Sequence, residues 1–254
     1  MTDAYSQCPK CGHKLPQLLP ASATCPACGI YFFKWEQATH APALFAANNE
    51  STPDAEHGHI ATLFQPMEKM DAMTFYGRCI VLALLVIWSW FLFGYDYRTG
   101  EIGSSFMHNI LLPIHEAGHV LFRPFGEFMM ILGGSLFQLL FPFGIGVAFI
   151  VMNRDNFGAA IGIWWASVSL VDLAPYIYDA LHPQLTLIGG GTGAEDGPHD
   201  WMYLLITLRQ IDHAQHWGAA AHMCGGLIML GALVWGATIL WRQREQMGDK
   251  IEQP

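Results

Sequence analysis

One short motif carries the chemistry of this chain. His115, Glu116 and His119 form an HExxH sequence inside an apolar stretch. On a helix, two histidines four residues apart project from the same face and can bind one metal ion. The glutamate beside them is placed to act on a water molecule at that metal. Ionisable groups are costly in a lipid bilayer, so three of them in an apolar segment indicate a functional site.

The motif itself does not specify the third protein ligand that such a site needs. A catalytic zinc usually takes three protein ligands and leaves one position for water. A later apolar segment supplies candidates, because Asp172, Pro175 and Asp179 have the i, i+3, i+7 spacing that puts them on one face of a helix. His199 and Asp200, in the polar loop after this segment, are rival candidates.

A second metal site is predicted near the N-terminus by two CxxC pairs, Cys8 with Cys11 and Cys25 with Cys28. Each pair can present two thiolates to one ion, and four thiolates form the closed site of a structural zinc. Residues 1–35 are therefore predicted to form a small zinc ribbon, because so short a segment lacks the core to fold without metal. The reduced thiols that this requires favour a cytosolic N-terminus.

The composition is typical of a membrane protein with a polar N-terminal part. Of the 254 residues, 52% are hydrophobic and only 13% are charged, against about 25% charged residues in soluble domains. The formal net charge is −9, and no basic stripe of the kind that binds nucleic acid is visible. We therefore expect a lipid bilayer as the surroundings and no nucleic-acid partner.

Five apolar segments are long enough to cross a bilayer as helices, which takes about 20 residues each. They lie near residues 76–95, 104–122, 128–152, 157–179 and 214–241. The predicted fold is an all-α polytopic membrane protein with about five transmembrane helices and a small N-terminal four-cysteine zinc ribbon. With a cytosolic ribbon, five spans leave the basic C-terminal residues outside, against the positive-inside rule. A sixth membrane element near residues 201–208 therefore stays an alternative.

The N-terminus lacks the apolar core of a signal peptide. Together with the reduced thiols, this favours a prokaryotic plasma membrane with the ribbon in the cytosol. The histidines of the linker, His57 and His59, are expected to be solvent-exposed. The chain is expected to have four parts: the zinc ribbon at 1–35, a flexible linker at 36–74, a membrane domain at 75–245 and a polar tail at 246–254.

The motif and its neighbours resemble one known family. An HExxH in one membrane segment, a glycine-rich segment after it, and an Asp-x-x-Pro…Asp segment are similar to the site-two proteases, which are intramembrane zinc metalloproteases. That family pairs HExxH with a later Asn-x-x-Pro and Asp-Gly. The resemblance covers roughly residues 104–180. Three departures are visible: Asp172 stands at the Asn position, Ala180 replaces the Gly, and the spacing from Pro175 to Asp179 is one residue shorter.

The resemblance implies a catalytic zinc bound by His115, His119 and Asp179, with Glu116 as the general base of peptide-bond hydrolysis. The substrate would be a membrane protein or peptide cleaved in or near the bilayer. The chain would then hold two zinc ions, one catalytic and one structural. The ribbon would bind a protein partner or a substrate.

Three further side chains are candidates for contacts to the substrate or to the oxyanion of the reaction. Ser135 and Gln138 lie on the glycine-rich segment after the motif, where a polar group can hydrogen-bond an extended backbone. His222 lies within the last apolar segment and could polarise a substrate carbonyl or pair with Asp172.

Two other functions stay open. The chain could be a catalytically inactive membrane adaptor whose ribbon binds partner proteins, since the Asp-x-x-Pro motif is altered. Glu116 and His119 also match the Glu-x-x-His motif of di-iron bundles, which needs a second copy on a facing helix. The only other such pair, Glu56 with His59, lies in the polar linker.

Overall fold

The computed structural model describes residues 4–20, 22–32, 63–66, 70–186, 191–195 and 197–249. The chain divides into two compact units, residues 1–58 and 59–254, and each is described by itself. Most of the expected linker, with Glu56, His57 and His59, lies outside the described residues. The last residues of the expected tail, 250–254, lie outside them too.

The N-terminal unit contains a two-stranded antiparallel sheet of β1, Ala4–Gln7, and β2, Lys14–Pro20. Two equivalent turns present the cysteines. The amide of Gly12 donates to the Cys8 carbonyl at 3.0 Å, and the amide of Gly29 donates to the Cys25 carbonyl at 2.8 Å. Both glycines have a positive φ near 70°, which only glycine adopts readily. Each turn therefore closes on the glycine that follows its CxxC pair.

The second unit is helical, with short 3-10 turns between some of the helices. Among the residues that the structure describes, its α-helices are α1 Ala72–Gly94, α2 Phe106–Phe122, α3 Glu127–Asn153, α4 Asn156–Asp179, α5 Asp200–Thr207 and α6 Ala214–Asp249. Side-chain caps fix three of the helix starts. Asp71, Ser105 and Asp155 each accept a backbone N–H from the first turn of the helix that follows.

Four helices of the described residues are long and apolar enough to cross a membrane: α1, α3, α4 and the stretch Ile211–Met247, which contains most of α6. The helix of the HExxH motif, α2, is shorter at 17 residues. The fifth span therefore stays a prediction. Helix α5 has eight residues and is about 12 Å long, so it is too short to be a sixth span.

Helix α4 lies at the centre of the bundle. In its most apolar stretch of 18 residues 72% is buried, against 11% in the corresponding stretch of α1. Glycines let its neighbours approach closely. A Cβ on Gly162 would lie 2.5 Å from the Cα of Gly146 on α3, and one on Gly218 would lie 2.8 Å from the Ala174 carbonyl oxygen. Helix α2 packs on α3 in the same way, with Gly118 against the Gly133 carbonyl. These contacts hold α2, α3 and α4 side by side around the motif.

A partly buried ion pair joins α1 to the start of α4. The guanidinium of Arg78 donates to both carboxylate oxygens of Asp155, at 3.0 and 2.8 Å. Asp155 also caps α4, accepting the amides of Phe157 and Gly158 at 3.1 Å. One carboxylate therefore both starts a membrane helix and neutralises a cation on its neighbour.

Replacing Asp155 by Ala should lower the free energy of unfolding by about 2–4 kcal/mol, because it removes a helix cap and leaves Arg78 without its carboxylate. Thermal unfolding in detergent, followed by circular dichroism, measures the change. The control is Asp96→Ala, which breaks the exposed pair with Arg98 and should cost at most about 1 kcal/mol. Equal losses in the two variants would contradict this role of Asp155.

Candidate metal centre and cavity

Helix α2 brings the three motif side chains together, as the spacing predicts. The ligand atoms of His115, Glu116 and His119 all lie within 4.8 Å of one another. His115 is buried, His119 is partly buried, and the Glu116 side chain is exposed and lines a cavity. This group can hold a metal ion.

Asp200 is the carboxylate that lies against the histidine pair. Its Oδ2 is 3.0 Å from His115 Nε2 and 3.1 Å from His119 Nε2. Burial raises the pKa of Asp200, but the contacts with the two imidazoles outweigh it and lower this pKa to about 2. Ligands bound about 2.0–2.1 Å from a tetrahedral zinc lie about 3.3 Å apart, close to the observed spacing.

Two hydrogen bonds hold Asp200 in this place at the start of α5. Its amide donates to Tyr176 Oη at 3.3 Å. The indole of the next residue, Trp201, donates to Ser135 Oγ on α3 at 3.0 Å. The Ser135 hydroxyl therefore helps to position the loop that carries Asp200. Its contact with a substrate stays a prediction.

Asp179, the ligand that the resemblance implies, lies apart from the histidine pair at the end of α4. Its Oδ1 accepts the Gln184 amide at 2.8 Å, and both its oxygens are within 3.3 Å of the Leu185 amide. Its Oδ2 is 3.7 Å from His199 Nε2. The carboxylate thus satisfies the backbone turn that follows the helix. Of these two candidate carboxylates, Asp200 is the one that lies within 3.1 Å of the histidine pair.

The partners of the two motif histidines decide which ring nitrogen faces Asp200. His119 Nδ1 lies 2.9 Å from the Met130 carbonyl oxygen, and His115 Nδ1 lies 2.9 Å from Gln138 Oε1. Both partners are acceptors, so each Nδ1 carries the proton that it donates. Each Nε2 then faces the carboxylate in one of two ways: as a second N–H that donates to Asp200, or as the lone pair that would bind a metal ion held between them. In both cases positive charge lies against the carboxylate.

Gly134 on α3 leaves the space in front of these nitrogens. A Cβ at this position would lie 2.6 Å from both His115 Nε2 and His119 Nε2. A real side chain there would therefore displace the rings or occupy the place of the ion. Gly134 therefore keeps the histidine pair accessible from the side of α3.

The centre opens into a cavity of about 750 Å³, which is within the usual range of ligand pockets. Apolar side chains form much of its wall, and Leu185 and Thr186 lie along the loop after α4. Besides the metal centre it is lined by Gly100, Ile102, Gly103, His108, Leu112, Met130, Ile131, Gln138, Asp172, Leu173, Pro175, Tyr176, Leu185, Thr186 and His199.

His199, the other rival ligand, is buried beside Asp200 and stacks on Tyr176 with ring centroids 4.6 Å apart. Among the described residues, neither of its ring nitrogens has a hydrogen-bond partner. Burial disfavours the charged ring and lowers the pKa of His199, although Asp179 and Asp200 oppose this. His199 therefore lies at the cavity as a neutral ring.

Gln138 and His222, the other two residues predicted to contact a substrate, lie in different parts of the structure. Gln138 lies at the cavity and binds both His115 and Asp172. His222 lies between α6 and the end of α1, where its ring stacks on Phe93 at 4.4 Å. The histidine that pairs with Asp172 is His108, at 2.9 Å. His108 lies two helical turns before His115, and this spacing was the only sequence signal for its place at the cavity.

The four N-terminal cysteines form the second candidate metal group, with all four Sγ atoms within 4.8 Å of one another. Cys8 Sγ lies 3.7 Å from Cys28 Sγ, and Cys11 Sγ lies 3.8 Å from Cys25 Sγ. Sulfurs bound about 2.3 Å from a tetrahedral zinc are about 3.8 Å apart. Burial raises the pKa of Cys8, but the amides of Cys11 and Lys10 outweigh it and lower this pKa to about 6. The arrangement suits a cation held by thiolates.

Replacing Gly134 by Ala should remove one metal ion per chain, because the new methyl group would crowd both Nε2 atoms. Metal content of the purified protein, measured by plasma mass spectrometry, gives the readout. Gly144→Ala is the matched control on the same helix, since a Cβ there meets nothing within 4 Å. Full metal content in the Gly134 variant would count against the centre described above.

Comparison of the chain with models of known protein families, with curated proteins and with solved structures finds no match. The likeness to site-two proteases therefore stays a resemblance in the motifs of residues 104–180.

Proposed function

We propose that this protein is an intramembrane zinc metalloprotease of the site-two type. The observation that carries the proposal is the convergence of His115 Nε2, His119 Nε2 and an Asp200 oxygen at one point beside Glu116. This donor set, two imidazoles and one carboxylate, is one that catalytic zinc sites use. It lies among helices that are apolar enough to cross a membrane.

The roles of the residues follow from their chemistry. His115, His119 and Asp200 would hold the zinc, which supplies a lowered pKa for water and a Lewis acid for the peptide carbonyl. Glu116 accepts a proton from the attacking water and gives it to the amine that leaves. Because Glu116 lines the cavity, its carboxylate can reach a substrate bound there.

The substrate class follows from the surroundings of the cavity. An apolar wall among membrane helices suits an apolar segment of a membrane protein or peptide. A helical segment hides its carbonyls in hydrogen bonds, so the segment must unwind before a peptide bond can be attacked. The cleaved bond would lie in or near the bilayer.

The remaining parts of the chain have proposed roles as well. Helix α2, about 25 Å long, would be the fifth membrane element. The four cysteines would bind a structural zinc and form a ribbon that recruits a substrate or a partner protein. The ribbon would lie in the cytosol of a prokaryotic cell, with the helices in its plasma membrane. The adaptor alternative predicts zinc at the cysteines alone.

Glu116→Gln should keep its zinc and lose cleavage by a factor of about 100 to 10,000 or more, because the amide cannot accept the proton. The assay uses synthetic single-span peptides reconstituted with the protein in lipid vesicles, and mass spectrometry detects the products. Glu127→Gln, an exposed residue at the start of α3, is the control that should cleave normally. Undiminished cleavage by the Glu116 variant would rule out this mechanism.

The third ligand can be tested by comparing two aspartates. Asp200→Ala should lower zinc content from two ions to one, since it removes a ligand. Asp179→Asn should leave both ions in place, since that side chain binds backbone amides of the next turn. The opposite result, with zinc lost only from the Asp179 variant, would restore the ligand that the resemblance implies.

A further inference from the structure

A chain of hydrogen bonds connects the metal centre to a buried carboxylate that has no place in the proposed mechanism. His115 on α2 contacts Gln138 on α3, and Gln138 Nε2 donates to Asp172 Oδ2 on α4 at 3.0 Å. The other oxygen, Asp172 Oδ1, lies 2.9 Å from His108 Nδ1 on α2. Three helices therefore contribute to one network around the first metal ligand.

The chemistry of Asp172 sets the direction of every bond in this network. A carboxylate only accepts hydrogen bonds, so the Gln138 amide must turn its NH₂ group towards Asp172. Its carbonyl oxygen then faces His115 Nδ1. An oxygen at that place accepts a hydrogen bond, so His115 carries a proton on Nδ1, and Nε2 is the nitrogen left to bind the metal.

Burial keeps the network in this arrangement. Gln138 is 2% exposed and Asp172 is 7% exposed. The backbone carbonyl of Gln138 also accepts the Ser169 hydroxyl at 2.9 Å, which ties α3 to α4 at the same level. With little water to compete for these groups, a reversed amide would place an NH₂ group against the Nδ1–H of His115 and an oxygen against a carboxylate.

We infer that Asp172 is a positioning residue, which acts through Gln138 to hold His115 in the tautomer that binds metal. The inference rests on the proposed metal centre but not on proteolysis. Asp172 touches neither the metal position nor the general base. Groups that orient a ligating histidine in this way typically change metal affinity about 10- to 100-fold when they are replaced.

Asp172→Leu and Asp172→Asn separate the proposed role from a role in packing or charge. Leucine keeps the approximate size of the side chain but cannot accept the Gln138 amide. Asparagine loses the charge but keeps one acceptor oxygen for that amide, and its NH₂ group can donate to a neutral His108. Zinc affinity of the full-length protein in detergent is measured with zinc buffered by competing chelators. The zinc at the four cysteines serves as the internal reference.

Asp172→Leu should weaken binding of the second zinc about 10- to 100-fold, and Asp172→Asn should bind it nearly as tightly as the unaltered protein. Unchanged affinity in the leucine variant, or equal weakening in both variants, would overturn the inference. If the unaltered protein binds a second zinc that His115→Ala removes, either of these results refutes only the role of Asp172. If it binds no such zinc, the proposed function falls as well.

The tautomer of His115 gives a second measurement that does not depend on how well the leucine variant folds. Nitrogen-15 NMR of histidine-labelled, metal-free protein distinguishes Nδ1–H from Nε2–H, and His115→Ala identifies the signal. We expect a proton on Nδ1 in the unaltered protein and in Asp172→Asn, whether or not Nε2 carries a second proton that it donates to Asp200. Finding His115 as the Nε2–H form in the unaltered protein would refute the inference.

Discussion

Polar groups that are buried among apolar helices need partners, and this constraint shapes the whole membrane unit. Unpaired polar and charged groups are expensive in such surroundings. Three carboxylates each bind a group on a neighbouring helix. Asp155 binds Arg78, Asp172 binds Gln138, and Asp200 lies against His115. Each therefore both compensates for its own burial and fixes two helices relative to one another. At the candidate metal centre, a metal ion between Asp200 and the two imidazoles would provide this compensation.

Close packing at glycines makes that compensation possible. Hydrogen bonds between side chains of three helices form only if the backbones approach closely, and glycines at the contacts of α2, α3 and α4 permit this. Gly134 on α3 serves both the packing and the metal centre, because even a Cβ there would lie 2.6 Å from the Nε2 atoms of His115 and His119 on α2. Packing and chemistry therefore depend on the same residues.

Local features of the structure could be predicted from the sequence, and long-range ones could not. The spacing of His115 and His119 predicted their convergence, and apolar length predicted the helices α1, α3, α4 and α6. The CxxC pairs predicted the cysteine cluster. The position of Asp200 depends on how the loop after α4 returns to α3, and no periodicity encodes that path. Sequence therefore left Asp179, His199 and Asp200 as candidates. In the structure the hydrogen bond between Trp201 and Ser135 helps to hold Asp200 against the histidine pair.

Zinc-edge anomalous diffraction from crystals of the 254-residue chain would show where a metal lies and which side chains surround it. We expect two peaks, one among the four cysteines and one bounded by His115 Nε2, His119 Nε2 and a carboxylate oxygen of Asp200. A peak at the cysteines alone, from crystals grown with zinc, would contradict the membrane metal centre and favour the adaptor.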